Sequence, residues 1–157
     1  RRHVDKVYAY MLKLTANPDD AEDLVQETFL KVWNKSTTYK VGRVRFTTWL
    51  FTIAHNKFID LYRKNKDRKE VYDEQLPSGN MEDLRQQEEK AYALSEGLSK
   101  LPENQRVAIL LSHSQGFSNV EVATILGSSV RAVESILSRG RKTLRRLLAE
   151  ETSHDTY

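Results

Sequence analysis

The stretch from Phe117 to Leu148, FSNVEVATILGSSVRAVESILSRGRKTLRRLL, constrains this chain more than any other. It reads as two helices joined by a short turn, the second long and basic. Ser118 can cap the first helix, and Glu121 three residues on completes a capping box. Gly127 stands where the chain must enter the left-handed region, which Gly does at no steric cost. Ser128 or Ser129 can cap the helix that follows. Ala123 lets two steeply crossing helices approach, and Val133 fills the angle between them. This is the pattern of a helix-turn-helix, whose second helix enters the major groove of DNA.

Helical geometry supports the reading. At about 100° per residue, Val130, Val133, Ile136, Leu137, Gly140, Leu144, Leu147 and Leu148 share one face. Arg131, Ser135, Ser138 and Lys142 fall opposite, with Arg139, Arg145 and Arg146 flanking. Residues 130–148 hold six Lys or Arg and one acid. A solvated charged face would account for the basic run alone. The turn Gly, the caps and Ala123 tip the balance toward DNA, and Arg interleaved with short Ser lets a backbone approach base edges.

The rest of the 157 residues can supply one domain or two small ones, each with a modest core. Net charge is only +3, but it is unevenly placed. Residues 36–69 carry +7, residues 70–104 carry −6, and residues 105–157 carry +2. Two basic blocks around an acidic one suggest two nucleic-acid contacts on a tether. The chain has no Cys, which excludes disulfides and thiolate zinc sites. His3, His55, His113 and His154 lack metal-ligand spacing, so neither a metal nor a cofactor is expected. No apolar run reaches the length of a membrane span and no signal peptide is seen, so a cytoplasmic protein is expected. The chain opens without Met inside a helical pattern (Val4, Val7, Tyr8, Met11), which reads as a trimmed start.

An amphipathic helix is predicted over residues 4–15. Asn17 then caps a second one, with Pro18 at its first position and Asp19, Asp20 and Glu22 on the positive end of its dipole. Its apolar stripe is Ala21, Leu24, Val25, Thr28, Phe29, Val32 and Trp33, which leaves Asp23, Gln26, Glu27 and Leu30 facing outward. A basic loop from Ser36 to Arg45 leads to a third helix, from Phe46 to about Lys66. That helix fits no single stripe. Leu50, Ile53, Ala54 and Leu61 lie together, while Trp49, Phe51, Phe58, Ile59 and Tyr62 spread around the sides. Apolar on most sides, it reads as core, or as rings and cations for single-stranded nucleic acid. Residues 67–84 read as a flexible linker around Pro77-Ser78-Gly79-Asn80. Helices from Met81 to Lys100 and from Pro102 to near Gly116 precede the helix-turn-helix. The expected fold is all-α: residues 1–66 and 85–150 as two small helical domains on a linker.

Three blocks, DAEDLVQETFLKVW (20–33), RFTTWLFTIAHNKFIDLYRK (45–64) and LPENQRVAILLSHSQGFSNVEVATILGSSVRAVESILSRGRKTLRRLL (101–148), together resemble extracytoplasmic-function sigma factors of bacterial RNA polymerase. The likeness covers nearly the whole chain in the family's order. It implies a promoter-specificity subunit with no catalysis of its own. Residues 1–66 would then be region 2, and residues 85–150 region 4. Asp23, Gln26 and Glu27 would dock on the clamp helices of the largest polymerase subunit. Tyr39, Lys40, Arg43, Arg45, Asn56, Lys57, Arg63 and Lys64 would recognise and open the −10 element, capturing an extruded base. Arg131, Ser135, Ser138, Arg139 and Lys142 would read the −35 element, and region 4 would also touch the polymerase flap. The family implies an anti-sigma partner, often membrane-anchored. Two departures stand out: after Val133, where many members carry Lys or Arg, this chain has Glu134, and two residues on it has Ile136 rather than Arg. A conventional one-component regulator fits less well, because the first 66 residues resemble no sensing domain. A nuclease built on Asp19, Asp20, Glu22 and Asp23 fits poorly, since the helix dipole alone explains those acids.

Overall fold

The computed structural model describes residues 2–40, 42, 44–68 and 93–154, and every regular element among them is helical. The first two helices, α1 (Arg2–Thr15) and α2 (Pro18–Asn34), form a hairpin. Ala16 ends α1 at φ +52°. The Asn17 side chain then accepts from the Asp19 and Asp20 amides at 2.9 and 3.2 Å, so the predicted cap is present. Val7, Tyr10, Met11 and Leu14 of α1 are buried with Ala21, Leu24, Val25 and Thr28 of α2. The third helix, α3 (Phe46–Arg68), runs two residues past its expected end and closes this unit.

The C-terminal unit contains α4 (residues 93–99), α5 (Glu103–Ile109), α6 (Asn119–Leu126) and α7 (Val130–His154). The earlier part of the predicted helix from Met81, and the linker beyond residue 68, lie outside the described residues. A π turn, Leu110–Ser114, extends α5 and hands the chain to the helix-turn-helix. There the local expectations hold. Ser118 and Glu121 form both halves of the capping box, Gly127 sits at φ +63°, and the Ser129 hydroxyl accepts from the Ala132 amide at 3.1 Å. Val133 is fully buried and Ala123 nearly so.

Two glycines let α7 sit close to its neighbours. A β-carbon on Gly140 would lie 2.8 Å from Ile109 Cδ1 and 3.3 Å from Gln105 Cβ. One on Gly97 would lie 2.9 Å from Leu144 Cδ1. Gly140→Leu is therefore expected to cost about 1–3 kcal/mol through overpacking, seen as a lower urea midpoint. Ile109→Ala in the same chain should recover part of the loss; no recovery would place the clash elsewhere.

The two units share one core. The apolar cluster runs without a break from α1, α2 and α3 into α5, α6 and α7. This explains why α3 fits no single stripe, because it has two covered faces. Leu50 and Ala54 are buried on one side, while Thr48, Phe51, His55 and Ile59, spaced along another, meet the C-terminal unit. Phe51 touches Tyr10 edge-on at 5.4 Å and Phe117 at 5.1 Å. Core packing thus accounts for Phe51 and Phe58, and only part of the aromatic set remains for a ligand.

The contact between the units also holds polar groups that are imperfectly satisfied. Tyr10 Oη, His55 Nδ1 and Arg106 Nε are buried with no hydrogen-bond partner among the described residues. Burial lowers the His55 pKa to about 4. Burial also pushes the Tyr10 phenol up, helped by the Glu103 carboxylate. The Arg106 guanidinium is pulled down by burial, against the opposing effects of Tyr62 and Glu103. An interface that leaves such groups unpaired gives away free energy that water would return on separation.

Candidate nucleic-acid interface

Three exposed surfaces carry the residues singled out from sequence. The first is the outer side of α2. Asp23, Gln26 and Glu27 are exposed, as expected, and Leu30 joins them at 66% exposure. Trp33, assigned to the apolar stripe on sequence, is 80% exposed and belongs here instead. The geometry explains the correction: Trp33 is seven residues from Gln26, so the two project from almost the same side. It is half a turn away from the buried Leu24. Acids, an amide, a Leu and a Trp thus form a surface able to take a basic, partly apolar partner.

The second surface is the loop before α3 and the outer side of α3. The Tyr39 ring packs on Phe46 at 5.8 Å and on Trp49 at 5.0 Å, and its hydroxyl donates to the Val44 carbonyl at 2.9 Å. Tyr39 and Trp49 are half-buried, so the aromatic group is anchored. Asn56 is exposed on the same side as Trp49, two turns or about 10 Å further along. Arg63 and Lys64 are exposed beyond it, Lys57 is half-buried, and Lys40 is exposed on the loop. Arg43 lies outside the described residues.

Arg45 behaves differently from expectation. It is exposed, but its guanidinium pairs with Glu121 of α6 at 3.3 Å. The Thr48 hydroxyl donates to the same carboxylate oxygen at 3.0 Å. The other oxygen accepts from the Ser118 amide at 3.1 Å, which completes the capping box. Burial raises the Glu121 pKa, but the Ser118 amide, the Thr48 and Ser118 hydroxyls and the Arg45 charge outweigh it and hold the carboxyl below its usual range. Sequence reasoning finds Glu121 as a cap and misses its second role. Thr48, Phe51 and His55 are likewise missed as contacts with the other unit, the only signal being the awkward periodicity of α3.

The third surface is α7. Arg131, Ser138, Arg139 and Lys142 are exposed and Ser135 is half-buried, so the outward set from sequence is available. Arg141 is also exposed, and its Nε donates to His113 Nε2 at 3.1 Å, tying α7 to the π turn. A row of bases along an exposed helix with short Ser between them suits the groove of a polyanion.

Comparison with known proteins agrees with this arrangement. Residues 1–68 match Sigma-70 region 2, and residues 91–144 match Sigma-70, region 4. The chain is 34% identical to ECF RNA polymerase sigma factor SigE of Mycolicibacterium smegmatis, the alignment covering 98% of this chain and 61% of that protein. It is 31% identical to ECF RNA polymerase sigma factor SigM of Bacillus subtilis, over 92% of this chain and 90% of that one. Among solved structures it resembles the sigma factor RpoE from Bartonella quintana, crystallised with the anti-sigma factor NepR. That match has a TM-score of 0.77 and 31% identity, over 94% of this chain and 92% of the other. CnrH, solved with the cytosolic domain of CnrY, gives a TM-score of 0.71 and 30% identity, over 95% and 84% of the two chains. With both regions matched in order and relatives aligned along nearly its whole length, the chain belongs to the extracytoplasmic-function sigma factors, the non-catalytic subunits through which RNA polymerase starts transcription at chosen promoters.

Proposed function

We propose that residues 1–66 and 85–150 are the two working units of this subunit, each with its own nucleic-acid target, joined through residues 67–84. The outer side of α2, with Asp23, Gln26, Glu27, Leu30 and Trp33, docks on the clamp helices of the polymerase. The loop from Tyr39 and the outer side of α3 hold the non-template strand of the −10 element. Asn56 reads one base there, and Lys57, Arg63 and Lys64 steady the phosphates. The α7 surface reads the −35 element through Arg131, Ser135, Ser138, Arg139 and Lys142. The observation that carries this reading is the separation of the surfaces: a docking side, a strand side and a groove side all stay exposed while the helices behind them are buried. The protein would work in the cytoplasm, and among the described residues no helix is long and apolar enough to cross a membrane. An anti-sigma partner is expected, as NepR is for RpoE.

The closed packing of the two units adds a requirement. Two elements about 25 base pairs apart lie roughly 85 Å apart on B-form duplex, at 3.4 Å per pair. A compact chain of this length has a radius of gyration of about 15 Å. The α3–α6 contact must therefore open before both elements are engaged.

Run-off transcription with core polymerase on genomic fragments, with and without the protein, tests the reading. Discrete transcripts should depend on the protein. Changing Asp23, Gln26 and Glu27 together to Ala should weaken polymerase binding by about tenfold or more while circular dichroism is unchanged, because exposed side chains off the apolar stripe contribute little to stability. Unchanged polymerase affinity would remove α2 from the docking surface.

A further inference from the structure

We propose that Glu134 is a specificity-determining residue: in the groove it accepts a hydrogen bond from the exocyclic amine of a cytosine in the −35 element. The inference rests on α7 being the recognition helix and names what one further side chain reads. Glu134 is the only acid among six bases in residues 130–148. It is the fifth residue of α7, past the first turn, where the positive helix end no longer favours a carboxylate. It is exposed, and among the described residues its side chain makes no hydrogen bond or ion pair, although Arg131 and Arg141 lie one and two turns away. Neither capping nor internal pairing accounts for it.

Its place on the helix decides what it can meet. Measured around α7 from the buried Val133, Glu134 lies at about 100°, Ser138 at 140°, Arg131 at 160°, Lys142 at 180° and Ser135 at 200°. Ser138, Arg131, Lys142 and Ser135 face away from the buried Val133 and Leu137, while Glu134 stands at one edge of that sector, next to Ser138 and about 60° from Leu137, and Arg139 at about 240° stands at the other. Base edges are read by residues near the start of such a helix, and Glu134 precedes Ser135, Ser138 and Arg139 in that order. A bare carboxylate brought to a polyanion is repelled unless a donor receives it. In the major groove the base donors are cytosine N4 and adenine N6. Adenine sets its N7 acceptor beside that amine, which suits Asn or Gln and repels a carboxylate. Guanine and thymine offer acceptors at the corresponding edge. Cytosine is what remains.

The test uses the full chain with core polymerase and a promoter whose −35 element is randomised, scored by sequencing the transcripts. The parent should enrich cytosine at one position by roughly tenfold over the other bases. Glu134→Ala should erase the preference at that position alone, and Glu134→Gln should move it to adenine. Polymerase affinity and circular dichroism should match the parent. Arg139→Ala separates two kinds of failure. If Arg139→Ala alters −35 preference while Glu134→Ala leaves every position within twofold of the parent, Glu134 reads no base. If neither variant alters preference, the recognition-helix assignment of α7 fails, and this proposal fails with it.

Discussion

Acidification from pH 6.5 to pH 4 is expected to cost the protein up to about 3 kcal/mol through His55 alone, since a tenfold change in proton affinity corresponds to about 1.4 kcal/mol. The imidazole is buried in a cleft of about 270 Å³ between α3 and the C-terminal unit, lined by Ile59, Glu103, Asn104, Val107, Leu126, Ser128 and Ile136. Its pKa falls from the ordinary 6.5 to about 4 because burial penalises the charged form. With the folded value below the unfolded one, the stabilisation is fully present above pH 6.5. It is lost as pH falls toward 4, where the unfolded chain takes up the proton more readily. Glu103 is the charged group that shares the cleft, so the comparison needs a variant that removes only the imidazole. Urea unfolding at pH 7, 6, 5 and 4 should show a shallower pH slope in His55→Leu than in the parent. Equal slopes would mean that the cleft is open to water in solution. The native chain has no Cys. Dyes on Lys13→Cys and Arg146→Cys would therefore report whether the same proton separates the two units.

Removing the basic end of α3 is expected to have the largest effect on promoter opening. Arg63 and Lys64 are exposed, and neither makes an ion pair among the described residues. Each phosphate neutralised on a single strand contributes about 0.7 to the slope of log affinity against log salt. Changing both to Ala should therefore flatten that slope by about 1.4 and reduce open complexes on the order of tenfold at 0.1 M salt. Permanganate footprinting on duplex and on pre-melted templates measures it. Loss on duplex with recovery on the pre-melted template is the expected pattern. Melting equal to the parent on duplex would leave these residues as solvated surface. Asn56→Ala in the same assay should shift preference at one position of the −10 element.

What the sequence discloses and what it hides divide along a physical line. Caps and turns are local: Asn17, Ser118, Glu121, Gly127 and Ser129 act within three or four residues of themselves, and each is where its chemistry indicates. The buried set of the helix-turn-helix is legible for the same reason, since Val133 and Leu137 follow the helical period. Trp33 misleads because its apolar character argues for the core while its phase, counted from Gln26, puts it on the outward side. The second buried face of α3 is hidden for a different reason. Phe51, His55 and Thr48 are covered by Phe117, Val107 and Glu121, partners more than fifty residues away. Periodicity signals that a face is covered but carries no information on what covers it. Arg45 shows the same gap, since its basic character suggests a phosphate and its position supplies Glu121.

If the two units open to engage promoter and polymerase, as proposed, the shared core sets a balance between two populations. A partner that binds only separated units meets an effective concentration set by the open fraction, and its apparent affinity falls by that fraction. Every 1.4 kcal/mol held in the α3–α6 contact is about a tenfold reduction. An aromatic pair such as Phe51 and Phe117 adds about 0.5–1.5 kcal/mol beyond its buried area, so replacing one ring shifts the open fraction several-fold. Side chains that touch neither polymerase nor promoter thus set how much of either the protein captures. By reciprocity, polymerase and promoter drain the closed population as they bind. Selection can then adjust the dose response of a regulon by substitutions in a hydrophobic seam, leaving every recognition residue as it is.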